Sequence, residues 1–309
     1  MENSGYKKLL ENGGFTAFLA TQFLGAFNDS FYQSFVLLRA QAINPIYVSL
    51  SLAIFNLPFL LFSGYAGHLC DAISKRRVMI GVKAFEIGIT LAGLAALVSG
   101  RMEWMLAVMF LLGLHSTVFS PAKYGIVPEI WPDEELSHAN GLLEMSTFVA
   151  MVLGMSLAGV MYGRSAGAAW RVGSVTVALA ATGLAASLRI CRVPASGARQ
   201  RFRWNPFAEI AGSTRQLIGN RPLWLAVLGI SFFWFFGALF KMDLPGFGVD
   251  VLHASETRTA LLWTFLALGV GSGNLLAGRL SGKKVELGLV PLGGIWLALG
   301  SFALFAARG

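Results

Sequence analysis

The sequence predicts an all-α membrane protein, and the prediction rests on its apolar runs and its scarcity of charge. Of the 309 residues, 55% are hydrophobic and only 13% are charged. A soluble domain carries about 25% charged residues because its surface faces water. Apolar runs of about 20 residues recur along the chain, and a helix of that length crosses a hydrocarbon core of roughly 30 Å. The sequence therefore predicts a bundle of helices that crosses the membrane several times.

Nine stretches are long and apolar enough to be membrane spans. They cover residues 15–38, 46–69, 78–98, 104–120, 140–162, 168–188, 223–240, 259–278 and 287–306. The connecting segments are short except for 189–221, which contains seven arginines and one acid, Glu209. Aromatic residues are interleaved with these arginines. This composition fits either an amphipathic segment on anionic lipid headgroups or a solvated basic linker.

The basic residues are distributed unevenly between the two ends of these spans. With the N-terminus inside, inside segments hold sixteen Lys and Arg residues and outside segments hold six. Cytoplasmic loops carry such an excess, so the N-terminus is predicted to be cytoplasmic. The same distribution explains the net charge of +8. Because no nucleic-acid-binding motif or basic aromatic surface accompanies that charge, nucleic acid is not expected as a partner.

Two short sequences recur at nearly the same spacing. Residues 24–27 (LGAF) resemble 236–239 (FGAL), and residues 66–69 (AGHL) resemble 277–280 (AGRL), at offsets of 212 and 211. Parallel six-span repeats joined by a long loop are the plan of the major facilitator fold.

That plan divides the chain into three parts. We expect a six-helix half at 1–190, a basic cytoplasmic linker at 191–221 and a partial second half of about three helices at 222–309. Two complete halves need twelve spans. Because this sequence contains only nine predicted spans, we expect it to be either a fragment or a truncated product.

The loop after the second span resembles a signature of the major facilitator superfamily. Residues 67–77 read GHLCDAISKRR, against the pattern G-x-L-x-D-R-x-G-R-R/K, with departures where the first Arg and the second Gly are usual. The resemblance implies a cytoplasmic latch that opens during alternating access, formed by Gly67, Asp71, Lys75 and Arg76. The alternative is an ordinary basic turn between two spans.

Three other segments are similar to elements of bacterial lysophospholipid transporters. They are GAFNDS at 25–30, SPAKYGI at 120–126 and ANGLLEMST at 139–147. Residues 276–286 resemble transporters that are fused to acyltransferase and acyl-carrier-protein ligase domains. These resemblances imply a multi-pass protein of the bacterial inner membrane that moves lysophospholipid from the outer to the cytoplasmic leaflet for reacylation. Its expected partners are lysophospholipid, membrane lipids and a fused or separate acyltransferase.

Polar residues within or beside the spans are the candidates for substrate binding or coupling. They are Asn28, Asp29, His115, Lys123, Glu144 and Lys241. A carboxylate in hydrocarbon costs roughly 2.5 kcal/mol or more, so Asp29 should face a cavity or a partner. Lys123 and Lys241 could each meet a lipid phosphate, pair with a carboxylate or extend to the membrane surface.

The remaining candidates have equally open interpretations. His115 fits a proton relay or a structural hydrogen bond, and Glu144 fits a contact with Lys123 or with the latch loop. Lys83 and Glu86 are three residues apart, so an intrahelical pair is expected.

Two other functions are compatible with the sequence. The first is a facilitator for drugs or small solutes, with Asp29 as a proton-coupling acid. The second is a membrane anchor for a fused lipid acyltransferase. The sequence contains no phosphate-binding glycine loop, zinc-spaced Cys/His set or nucleophile elbow. We therefore expect neither an enzyme nor a cofactor in this chain.

Overall fold

The computed structural model describes residues 4–164, 169–195, 206–253, 256–282 and 286–306. Eleven α-helices account for most of these residues: α1 (Ser4–Glu11), α2 (Gly13–Ile43), α3 (Ile46–Ala72), α4 (Lys75–Ser99), α5 (Met102–Ile130), α6 (Asp133–Arg164), α7 (Ala169–Ser187), α8 (Pro206–Gly219), α9 (Arg221–Gly246), α10 (Glu256–Ser281) and α11 (Leu289–Ala306). A π-helical turn, Phe247–Val251, follows α9.

Local chemistry sets several helix ends. The Asn12 side chain caps α2 by accepting hydrogen bonds from the backbone N–H groups of Gly14 and Phe15, both at 3.0 Å. These groups would otherwise lack intrahelical partners. Gly100 ends α4 with a φ of 70°, in the left-handed region that glycine adopts without a steric penalty.

Within the described residues, six helices are long and apolar enough to cross a membrane: α3, α4, α5, α6, α7 and α11. The other three predicted spans coincide with α2, α9 and α10. Helix α2 has 31 residues, and Gln22, Asn28 and Asp29 reduce its apolar character. The all-α membrane fold predicted from the sequence is therefore confirmed.

Helices α2 to α7 pack into one bundle. Helix α2 contacts α6 and α7, α3 contacts α5, and α4 contacts both α5 and α7. One apolar core lies near α1 and includes Phe15 and Trp131. A second core includes Phe31 and Met105 and lies toward the opposite end. The polar side chains in the middle of these helices therefore lie between two apolar layers.

Helix α10, from the second half of the sequence, packs against α6. A Cβ atom on Gly141 would lie 3.0 Å from the Asn274 carbonyl oxygen, and one on Gly278 would lie 3.1 Å from the Ser137 carbonyl oxygen. Small residues let helix backbones approach this closely. The exact division of the chain at 190 and 221 stays a prediction.

The helix that contains the fourth predicted span, residues 104–120, is longer than the sequence indicated. Helix α5 continues ten residues beyond position 120, through Pro121 and Pro128, to Ile130. Lys123 and Glu129 interrupt the apolar run, but both side chains have partners inside the bundle. In the basic segment, Pro206–Gly219 forms helix α8. Residues 196–205, which carry three of the arginines, lie outside the described residues.

Candidate functional site

A group of polar side chains, four of them buried and two half-buried, lies between the two apolar cores. This charge cluster consists of Asn28 and Asp29 from α2, Lys83 and Glu86 from α4, and His115 and Ser116 from α5. Lys83 Nζ lies 2.6 Å from Glu86 Oε2, and the two side chains are only 1% and 0% exposed. Asn28 Nδ2 donates to Glu86 Oε1 at 2.9 Å. The Glu86 carboxylate thus joins α2 to α4.

The other two ionisable members of the charge cluster, His115 and Asp29, make fewer hydrogen bonds than Lys83 and Glu86 do. His115 Nε2 lies 3.3 Å from Glu86 Oε2. Neither ring nitrogen makes an aligned hydrogen bond within the described part of the chain. Ser116 Oγ donates to Asp29 Oδ2 at 2.6 Å. Asp29 Oδ1 is buried and has no hydrogen-bond partner among the described residues.

Gly25 makes room for this arrangement. A Cβ atom at Gly25 would lie 2.5 Å from Lys83 Nζ. The lysine ammonium therefore occupies space that any larger residue on α2 would take. The GAFNDS segment thus supplies the space for Lys83, an amide for Glu86 and the carboxylate of Asp29.

A second polar group lies nearer to α1. This lysine cluster consists of Gln22 from α2, Lys123 and Tyr124 from α5, and Glu144, Ser146 and Thr147 from α6. Lys123 Nζ donates to Thr147 Oγ1 at 2.9 Å, and Thr147 Oγ1 donates to Gln22 Oε1 at 2.9 Å. The Tyr124 hydroxyl donates to Glu144 Oε1 at 2.8 Å. Lys123 Nζ also lies 4.9 Å from the Tyr124 ring centroid.

The two clusters occupy successive layers of the bundle. Gln22 and Asp29 are seven residues apart on α2, as are Ser116 and Lys123 on α5. Seven residues are about two helical turns, or about 10 Å along the axis. Asp29 and Lys123 are therefore hydrogen-bonded to the neutral side chains of Ser116 and Thr147, in separate layers, rather than to each other. Glu144 bonds Tyr124, a contact that the sequence did not suggest.

Lys83 and Glu86 are the members of the site that sequence reasoning underestimated. The expected intrahelical pair is present, but Asn28 and His115 join it from two other helices. The available signal was their position in the middle of an apolar span, where charged residues are rare and face the bundle interior.

The latch loop is bound to α5 and to the end of α7. Lys75 forms an ion pair with Glu129. Arg76 Nε and Nη2 donate to the carbonyl oxygens of Ile190 and Leu188, at 2.8 and 2.7 Å. Asp71 is half-buried near the end of α3. A Cβ atom on Gly67 would have no described atom within 4 Å.

Helix α1 connects the first-half bundle to α10. The Tyr6 hydroxyl donates to the Leu275 carbonyl oxygen at 2.9 Å. Its ring packs edge-on against His138, with centroids 4.8 Å apart, and the Arg279 guanidinium lies 6.0 Å from its centroid. Burial raises the pKa of Tyr6 above its usual value, against an opposing effect of Arg279. The hydroxyl therefore keeps the proton that it donates.

Lys241 cannot be placed in either cluster. It belongs to α9, but its side chain lies outside the described part of the structure. Its proposed contact with Asp29 or with substrate stays a prediction.

Comparison with known proteins relates most of the chain to membrane transporters. The profile of the Major Facilitator Superfamily matches residues 14–308. The lysophospholipid transporter LplT of Cronobacter sakazakii is 30% identical over 274 residues, which cover 86% of this chain and 66% of that protein. The protein of the same name from Escherichia coli is 30% identical over 292 residues, which cover 91% of this chain and 69% of that protein. The chain thus spans about two thirds of the length of these relatives.

Proposed function

This chain belongs to the Major Facilitator Superfamily, and from that premise we propose that it moves lysophospholipid across the bacterial inner membrane. The direction is from the outer to the cytoplasmic leaflet, where an acyltransferase, fused or separate, restores the second acyl chain. The two relatives named as lysophospholipid transporters support the substrate class.

The observation that carries this proposal is that Asp29 and Lys123 lie in different layers and are hydrogen-bonded to neutral side chains, Ser116 and Thr147. The amine of a lysophosphatidylethanolamine headgroup needs an anion and its phosphate needs a cation. Asp29 has a buried oxygen without a described partner, and Lys123 is held by the Thr147 hydroxyl. Because the two charges do not neutralise each other, a headgroup lying along the bundle axis can meet both.

Other parts of the site complete this proposal. The Tyr124 ring and Glu144 lie beside Lys123, where they can orient a phosphate and an amine. We expect Lys241, which belongs to α9, to supply a second cation. The single acyl chain can stay against the apolar helix faces or in lipid. A binding site for an apolar drug would need only the carboxylate of Asp29. The presence of both an anionic and a cationic side chain therefore favours a zwitterionic lipid as the substrate.

Lipid uptake by spheroplasts tests the substrate assignment. The cells lack their own lysophospholipid transporter and express this protein. We expect Asp29→Asn and Lys241→Ala each to abolish uptake of labelled lysophosphatidylethanolamine and Lys123→Ala to impair it. Lys7→Ala, which removes an exposed charge, is the matched control. Parental uptake by both Asp29→Asn and Lys241→Ala at equal expression would refute the site. Transport of a small solute but never of the lipid would refute the function.

We also propose that the α1 end of the bundle is cytoplasmic, because the basic residues are concentrated there. Single cysteines at Ser196 and Arg164 should react with membrane-impermeant reagents from opposite sides of the membrane. Labelling of both positions from one side would contradict this orientation.

A further inference from the structure

Helix α1 is fixed to the first half of the chain by a buried leucine and by an ion pair. Leu9 is 0% exposed and belongs to the apolar core that includes Phe15. Lys8 Nζ lies 3.1 Å from Glu135 Oε1, near the start of α6. A single residue, Asn12, separates α1 from α2. Helix α1 therefore belongs to the first-half bundle.

Tyr6 extends from this helix to the second half. It lies three residues before Leu9, on the same face of α1. Its hydroxyl donates to the Leu275 carbonyl oxygen at 2.9 Å, and the Arg279 guanidinium lies 6.0 Å from its ring centroid. A Cβ atom on Gly278 would lie 2.6 Å from the hydroxyl oxygen. The three α10 residues are three or four positions apart, so one face of α10 receives the tyrosine.

This face of α10 contains the second copy of a sequence that occurs twice in the chain. The copies are AGHL at 66–69, in the latch loop region, and AGRL at 277–280. In the first copy, a Cβ atom on Gly67 would have no described atom within 4 Å. In the second copy, the corresponding Gly278 lies against Tyr6. Helix α1 thus gives the second copy a contact that the first copy lacks among the described residues.

Tyr6 lies where α6 and α10 cross closely. A Cβ atom on Gly278 would also lie 3.1 Å from the Ser137 carbonyl oxygen of α6. The next residue of α6, His138, packs edge-on against the Tyr6 ring, with centroids 4.8 Å apart. In transporters built from two such halves, access alternates as one half rocks against the other. Opening this end of the bundle separates α10 from α6 and breaks the bond from Tyr6 to α10.

We propose that α1 is a clasp, in which Tyr6 holds α10 against α6 and stabilises the conformation that is closed at the α1 end. The hydroxyl contributes a hydrogen bond to the Leu275 carbonyl group. The ring contributes its contacts with His138 and Arg279. When this end opens, Leu9 keeps α1 in the first-half bundle, and Tyr6 loses its contacts with α10.

Distances between spin labels on the two halves test the clasp in the purified protein in lipid nanodiscs. The labels are attached to cysteines at Glu134, exposed near the start of α6, and at Leu280, exposed near the end of α10. The native Cys70 and Cys191 are replaced in this background. We expect Tyr6→Phe to raise the ratio of open to closed molecules about two- to tenfold, as for the loss of one neutral hydrogen bond. Tyr6→Ala, which also removes the ring, should raise it further.

Tyr162→Phe is the matched control, because it removes a hydroxyl from the opposite end of α6, where the ring packs against Phe35. Its distances should equal those of the parent. Unchanged distances in Tyr6→Ala would overturn the proposal, as would an equal shift in Tyr162→Phe. If Tyr6→Ala does not fold, Tyr6→Phe retains the ring and decides, and parental distances in that variant would overturn the clasp. Because no substrate is present, the outcome is independent of lipid transport.

Discussion

Lys83 and Glu86 are an ion pair from which water is excluded, with side chains 1% and 0% exposed. Removing one member of such a pair leaves the other as an uncompensated buried charge. The exposed pair of Lys7 and Glu11, at 3.8 Å, has solvent to replace a lost partner. The same chemical change should therefore have different consequences at the two lysines.

We predict that Lys83→Met destabilises the protein by about 3–5 kcal/mol. Thermal unfolding of the purified protein in detergent measures the effect. Lys7→Met is the control and should unfold with the parent. The double variant Lys83→Met/Glu86→Gln should recover part of the loss, because the unpaired carboxylate is gone. Equal unfolding of Lys83→Met and the parent would contradict the assignment of this pair.

The sequence predicted the members of the site better than their partners. Asn28, Asp29 and His115 were candidates because they interrupt apolar spans, and all three lie in the charge cluster. The contacts of Glu86 with other helices were not predictable from the sequence. One partner, Asn28, lies 58 residues before it on α2, and the other, His115, lies after it on α5. Contacts between distant helices leave no local spacing in the sequence.

At the scale of the elements, the latch loop holds the segment that follows α7. Arg76 donates to the carbonyl groups of Leu188 and Ile190, just beyond the last residue of this helix. A cation at this end also interacts favourably with the helix dipole. This contact fixes the start of α4 relative to the end of α7.

We predict that Arg76→Ala loosens the end of α7. Hydrogen bonds from a charged donor contribute about 1.5–3 kcal/mol, so local amide exchange at 188–193 should accelerate by roughly tenfold or more. Hydrogen exchange read by mass spectrometry measures the change. Arg77→Ala is the matched control, because Arg77 is the exposed neighbour. Identical exchange in both variants would show that the contact of Arg76 with Leu188 and Ile190 contributes nothing.

Apolar runs predicted where the helices lie but not where all of them end. Polar residues and prolines mark the apparent end of the fourth span, yet α5 continues past Lys123 to Ile130. The side chains that seemed to end the span are bound within the protein, Lys123 to Thr147 and Glu129 to Lys75. Hydropathy along a single segment does not contain these tertiary contacts.

At the scale of the whole molecule, the crossing of α6 and α10 joins the two halves. Gly278 lies at this crossing, where an added Cβ would be 2.6 Å from the Tyr6 hydroxyl oxygen and 3.1 Å from the Ser137 carbonyl oxygen. A backbone oxygen cannot move aside as a flexible side chain can. The crossing therefore has little room for a larger residue.

We predict that Gly278→Ala destabilises the protein by about 1–3 kcal/mol, as expected for overpacking. Gly273→Ala, on the same helix with no described atom within 4 Å of its added Cβ, should be neutral or stabilising by up to about 1 kcal/mol. Thermal unfolding of the two variants provides the comparison. A larger loss in Gly273→Ala would show that helix propensity, rather than the crossing, controls stability here.

The Tyr6 contact also has a consequence for biosynthesis. Its hydroxyl donates to a carbonyl group 269 residues further along the chain. A ribosome adds about 5–20 residues per second, so the acceptor is made roughly 15–50 s after the donor. During that interval the first-half bundle can assemble, but its N-terminal helix has only part of its final surroundings. Tyr6 therefore leaves the ribosome well before the residue that accepts its hydrogen bond has been made.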